Sequence, residues 1–204
     1  MTKVVTPSTI TAGQIGKIQE LLGARLRKSE LPSELIQQLL ASQGAVLVND
    51  MFAILRKRVE AISNMIVRRV RPNRSRAGAE ALKATGRKLY VTDSVVKSMP
   101  RGDGAKVDVM FFKLDLKGGW INDANLDKEY ELRGLKPSDP YSLAAVNEDD
   151  PAFADEHPNC THWKDANGKW CYIAFPHWGR ERSVHVDREG TDWNDYWLFA
   201  GLIK

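Results

Sequence analysis

A chain of 204 residues has room for one large domain or two small ones, and 43% hydrophobic with 27% charged residues is the balance of a folded protein, not of a disordered or fibrous one. No uninterrupted apolar run reaches the roughly 18 residues of a membrane span, and the opening MTKVVTPSTITAGQ lacks the apolar core of a secretory signal, so the expectation is a cytoplasmic protein without membrane contact. The net charge of +4 is uneven: residues 1–90 carry 16 Lys+Arg against 6 Asp+Glu, and residues 91–204 carry 14 against 20, which divides the chain into a basic and an acidic part.

Thr11 is placed to cap a helix in which Ile15, Ile18, Leu21, Leu22 and Leu26 recur at helical spacing, ending near Lys28. A short second helix follows, with Pro32 in its first turn, Leu35, Ile36, Leu39 and Leu40 along one face and Gly44 as its stop. A longer third helix is predicted over 46–71. Val48, Phe52, Leu55, Val59, Ile62 and Ile66 are spaced 4, 3, 4, 3 and 4 there, an a/d seam of the kind that meets another helix. Either the two preceding helices cover that seam or a second copy of the chain does, making a homo-oligomer through helix 46–71.

The stretch RRVRPNRSRAGAEALKATGRK is the most basic in the chain. Pro72 stops the helix, and Asn, Ser and Gly loosen the residues after it, so residues 72–88 read as a basic linker between a helical module, 1–71, and a second domain, 89–204. Arg68, Arg69, Arg71, Arg74 and Arg76 are the candidate contacts should this stretch grip phosphates. No aromatic residue is interleaved before Tyr90 and no helix-turn-helix or RNA-binding signature is present, so a solvated joint is the plainer reading.

Beyond it the hydrophobic period changes. KVDVMFFKL, Lys106 to Leu114, is a strand. Asp123 caps a helix to Arg133 that Gly134 ends, and Asp139-Pro140 opens another, terminated by Pro151. Glu148, Asp149 and Asp150 at the end of that helix oppose its dipole, which points to a basic partner. PAFADEHPNC reads as irregular. HWKDANGKWCYIAF is a hairpin about Asn167-Gly168, Ser183 to Arg188 is a further strand, and Trp197 to Ile203 closes the chain as the last. Five of the six tryptophans, Trp163, Trp170, Trp178, Trp193 and Trp197, lie in the final stretch from His162 to Lys204, with short polar residues between them. Large rigid rings in a strand-rich region can build a core and a contact surface together.

The order strand, helix, helix, hairpin and terminal strands over residues 105–204, with Trp163–Gly168–Trp170 and the ending DWNDYWLFAGLIK, resembles the C-type-lectin-like domain of the variable proteins of diversity-generating retroelements. The resemblance implies a C-type-lectin-like α+β domain, and with the helical N-terminal module read from residue spacing the expectation is an α+β chain in which that module precedes the domain. It also implies a function: a fixed fold whose C-terminal side chains are varied to bind a protein or other macromolecular ligand. In that family a reverse transcriptase miscopies adenines, so that Asn codons ending in a pyrimidine become many others, never Trp, Glu, Lys, Gln or Met. His177, Gly179, Arg180, Ser183, His185, Asp187, Gly190, Thr191, Asn194, Tyr196 and Leu198 belong to the reachable set and are the candidate ligand-binding residues. Trp178, Val184, Val186, Trp193, Trp197 and Phe199 alternate with them as framework, and Glu181 and Glu189 fall outside the reachable set. In a half-buried strand Val184 and Val186 face the core, leaving Ser183, His185 and Asp187 outward. The helical module has no counterpart in the resemblance and is assigned to oligomerisation or attachment.

Other chemistry finds little support. Cys160 and Cys171 are expected as reduced, partly buried thiols, not as a disulfide. His157, Cys160, His162, Cys171, His177 and His185 fall within 29 residues, but their spacing matches no structural zinc pattern. A nucleophilic triple of Cys160, His162 and Asp165 lacks a defined base and oxyanion donors. DANG resembles the start of a calcium loop without its later ligands, and RGDG and KGG lack the spacing of phosphate loops. The expectation is a binding protein without metal, cofactor or catalytic residue.

Overall fold

The computed structural model of the protein describes residues 10–63, 65–178, 181–188 and 192–204, with backbone alone for 56, 57 and 60–63. It is an α+β chain of two units, Met1–Ser63 and Asn64–Lys204.

The first unit is helical. Helix α1 spans Ala12–Arg27. Thr11 caps it in a reciprocal box, accepting from the Gln14 amide at 3.3 Å while Gln14 Oε1 accepts from the Thr11 amide at 2.8 Å. Helix α2 spans Ser33–Ser63 and is broken by non-helical backbone at Gln43, one residue before the expected stop at Gly44. None of the described side chains in either helix is buried: Leu21, Leu35, Val48, Phe52 and Val59 are all exposed. By length and composition Ser33–Leu55, at mean hydropathy 1.3, would suffice to cross a membrane, although no uninterrupted apolar run in it does.

The expected third helix is too long. It ends at Ser63, and Ile66–Val70 is strand β1, antiparallel to Val107–Phe111. Burial there alternates with period two, Ile66, Arg68 and Val70 inward and Val67 and Arg69 outward, which is a pleat and not a helix face. The a/d seam therefore loses Ile66, a residue packed against the core of the second unit. Residues 72–88 are not a linker either. They carry helix α3, Gly78–Ala84, which buries Ala81 and Leu82, and lead into strand β2, Lys88–Val91.

The second unit continues with α4 (Asp93–Lys97), β3 (Val107–Lys113), α5 (Asp123–Leu132), β4 (Leu135–Pro137), α6 (Pro140–Asp149) and α7 (Phe153–Glu156). It ends with β5 (Asn159–Lys164), β6 (Trp170–Phe175), β7 (His177–Trp178), β8 (Glu181–Arg188) and β9 (Leu198–Ile203). Among the described residues these strands form one mixed sheet in the order β1-β3-β9-β5-β6-β8-β2, with β4 on β9 and β7 on β8. The long-range pairs β5–β9 and β2–β8 are parallel.

Local chemistry accounts for the elements. Asn122, one residue ahead of the expected cap, accepts from the Asn125 amide to start α5, and Gly134 ends it at φ +70°. Asp139 caps α6 through the Ser142 amide, with Pro140 in the first turn as expected. Gly102 is required beside that cap, since a Cβ there would lie 2.2 Å from Asp139 Oδ2. Asp165 Oδ1 accepts from the Asn167 and Lys169 amides and Gly168 adopts φ +75°, which closes the β5–β6 turn.

Both faces of the sheet are covered. Val109 and Phe111 of β3 point to a core shared with Leu82, Val95, Leu143 and Val186. Phe112 and Leu114 belong to a second core with Leu126, Tyr130, Trp193 and Phe199. Cys160 lies in the second core and Cys171 in the first, so the two free thiols are on opposite faces.

Candidate functional site

One polar cluster fixes the C-terminal framework. His162 on β5 is fully buried, with Nδ1 2.6 Å from Asp123 Oδ1 and Nε2 3.0 Å from Asp127 Oδ1. Its ring stacks on Trp170 at 4.6 Å. Burial disfavours the charged imidazolium, but the two carboxylate bonds outweigh it and raise the His162 pKa above its ordinary value. The same Asp123 oxygen accepts from Trp193 Nε1 at 2.9 Å, and backbone bonds between Ile121 and Trp193 run in both directions. One N-terminal carboxylate of α5 thus ties the β5–β6 hairpin to the segment before β9.

Around Trp193 the sheet opens into a pocket of about 370 Å³, within the range of small-molecule sites. Tyr172 and Ala174 of β6 and His185 of β8 form its floor, since His185 pairs with Ala174 across the two strands. Trp178, Tyr196, Trp197 and the loop residue Trp120 form its walls. Trp120 is 65% exposed and Trp178 56%, so two of the largest apolar rings in the chain meet solvent at its mouth. Tyr196 is held in place by its hydroxyl, which accepts from the His177 amide and donates to the His177 carbonyl, at 3.3 and 3.2 Å. Asn194 Oδ1 accepts from the Tyr196 amide at 3.1 Å.

Of the expected ligand-binding residues, His185, Asn194 and Tyr196 line this pocket and His177 borders it through Tyr196. Asp187 is exposed on β8, opposite Tyr172, and accepts from Thr92 Oγ1 at 3.0 Å. Two residues are misplaced by the sequence reading. Ser183 is 3% exposed and Leu198, in the core, 8%. The buried Ser183 hydroxyl lies 3.2 Å from His185 Nε2, and the Leu198 side chain packs in the core with Phe111, so neither offers a side chain to a ligand. Gly179, Arg180, Gly190 and Thr191 lie outside the described residues. Trp178, expected as framework, is instead an exposed wall. Trp120, Tyr172 and Asp192 also line the pocket and were missed, because none shows by spacing alone which way it points.

Near the pocket, Glu181 binds Lys88 Nζ at 2.9 Å and Tyr90 Oη at 2.8 Å, and these bonds hold its pKa below the usual carboxylate value. Tyr90 stacks on His185 at 4.9 Å, so Glu181 supports His185 through Tyr90. Burial pushes the His185 pKa down, opposed by the Glu181 charge.

Four of the five arginines of the nucleic-acid alternative make contacts within the domain. Arg69 makes a two-pronged pair with Asp108 at 2.6 and 2.8 Å. Arg74 bonds Asp139 at 2.7 Å and the carbonyls of Arg101, Asp103 and Gly104. Arg76 reaches Glu148 at 2.7 Å, which supplies the cationic partner expected for that acidic helix end. Arg68 lies 4.5 Å over the Phe153 ring, and Arg71 is exposed.

A larger cavity of about 720 Å³ is lined by His162, Trp163, Trp170, Asp108 and Asp139. Both ring nitrogens of His162 are taken by carboxylates, and of the four lining aspartates Asp108 and Asp139 are paired with arginine and Asp127 with His162. The nucleophilic triple does not assemble. Burial and then the Asp123 charge push the Cys160 thiol well up, His162 bonds other carboxylates, and Asp165 holds its own turn and Arg188. Among the described residues no His, Cys, Asp and Glu group forms a metal site. Compared with known protein families, curated proteins and solved structures, the chain matches none.

Proposed function

We propose that residues 64–204 form a ligand-binding display domain, of the C-type-lectin-like, retroelement-diversified kind, in which a tryptophan-anchored framework presents exchangeable side chains around the pocket at Trp193. The observation that carries this reading is the meeting of His185, Asn194 and Tyr196 in one pocket whose fixed parts are tryptophans. Trp, unreachable by adenine mutagenesis, supplies the buried anchor, and reachable residues stand beside it. We further propose that α2 carries a homo-oligomer through Val48, Phe52, Leu55 and Val59, all exposed at a/d spacing.

The test has two parts. Sequencing the DNA that flanks the gene should find a near-copy of its 3′ end, differing where the copy has adenine, beside a reverse transcriptase gene. Randomising His185, Asp187, Asn194 and Tyr196 together should leave most clones folded, with binding that differs among them. A library in which most clones unfold, or flanking DNA without the copy, would defeat the reading.

A further inference from the structure

We infer that the pocket at Trp193 accepts a small organic cation, a methylated or quaternary ammonium group, held by ring faces and one carboxylate. The inference rests on the reading of this pocket as the binding site and names its ligand class.

Ring geometry comes first. Trp193 and Trp197 cross at 84°, Tyr196 and Trp197 at 84°, and Tyr172 and Trp193 at 88°. Trp178 meets His185 at 66°. These edge-to-face contacts bury Trp193, which is 2% exposed, and leave Trp120, Trp178 and Tyr196 as the lining rings most open to the pocket, 65%, 56% and 37% exposed. The negative faces of Trp and Tyr attract a cation there, and more strongly when it sheds water.

Charge comes second. Among the described lining residues Asp192 is the one carboxylate, and no Lys or Arg is present. His185 does not compete as a cation, because burial favours its neutral form. Polar commitments come third. Trp193 Nε1 is spent on Asp123 and the Tyr196 hydroxyl on His177, so those walls offer carbon faces more than hydrogen bonds. A methylated ammonium needs no hydrogen-bond partner from those walls.

The experiment titrates the full-length protein with choline and with its neutral isostere 3,3-dimethylbutan-1-ol, following tryptophan emission at constant ionic strength. Choline should saturate the signal and bind about tenfold tighter than the isostere. Trp178→Ala and Asp192→Asn should each weaken choline about three- to tenfold with an unchanged melting temperature. Equal affinity for the two compounds, no saturation by choline, or saturation by a methyl glycoside in its place overturns the inference. Those outcomes leave the display reading standing if the randomised library still yields folded clones of differing specificity. Choline binding with an intolerant library does the opposite: the cation site stands and the display reading falls.

Discussion

The two aromatic clusters of the second unit use the same residue types to opposite ends. Around His162, the histidine, Trp193 and Asp123 are buried, with both imidazole nitrogens and the Trp193 indole N–H satisfied. Around His185, another histidine, more tryptophans and Asp192 stand open to solvent. Composition does not separate them. The difference lies in Asp123, a single carboxylate at a helix start that accepts from two directions. Satisfied polar atoms can be sealed in; the same rings without that anchor remain a surface.

The sharpest way to break the contrast is Asp123→Ala. It strips a buried, charge-assisted partner from His162 and Trp193 together, and a loss of about 3–5 kcal/mol in denaturant unfolding is expected. Trp193→Ala should cost about the same, 3–5 kcal/mol, by opening the second core. A milder probe is pH. The raised His162 pKa means the folded state holds this proton more tightly than the unfolded chain, whose value is near 6.5. Its contribution is therefore fully present below about 6.5 and is lost as pH rises through the raised folded value. Melting curves across that window should show the decline, and His162→Gln should flatten it. Leu55→Asp should change no melting property of the second unit but should lower the mass measured by sedimentation equilibrium if α2 joins copies. Smallest of all, Trp178→Ala should shift unfolding by under about 0.5 kcal/mol, since its ring is mostly solvated.

Capping and turn chemistry made much of this fold legible in advance. Thr11, Asp139 and Asn167-Gly168 act locally, and each does what its side chain or backbone freedom predicts. The failures are long-range. Ile66 continued a heptad on paper, yet its pleated partner Phe111 is 45 positions away. Arg74 and Arg76 looked solvated because Asp139 and Glu148 lie far along the chain. Alternation put Ser183, His185 and Asp187 on one face, where His185 lines the candidate pocket and Asp187 is exposed, but Ser183 is buried with its hydroxyl against His185. Trp120 escaped notice because a lone ring in a loop has no period.

The strand β8 has a neighbour along each part of its length, β2 at Ser183–Val186 and β6 at His185–Arg188. An interior strand tolerates many side chains but not the loss of an amide hydrogen. Under the proposed diversification proline would be reachable at 185 and 187, and there it would disrupt the sheet. If those codons are diversified as proposed, variants of the gene should carry many residues at them but not proline, and that gap would record the sheet in the genome.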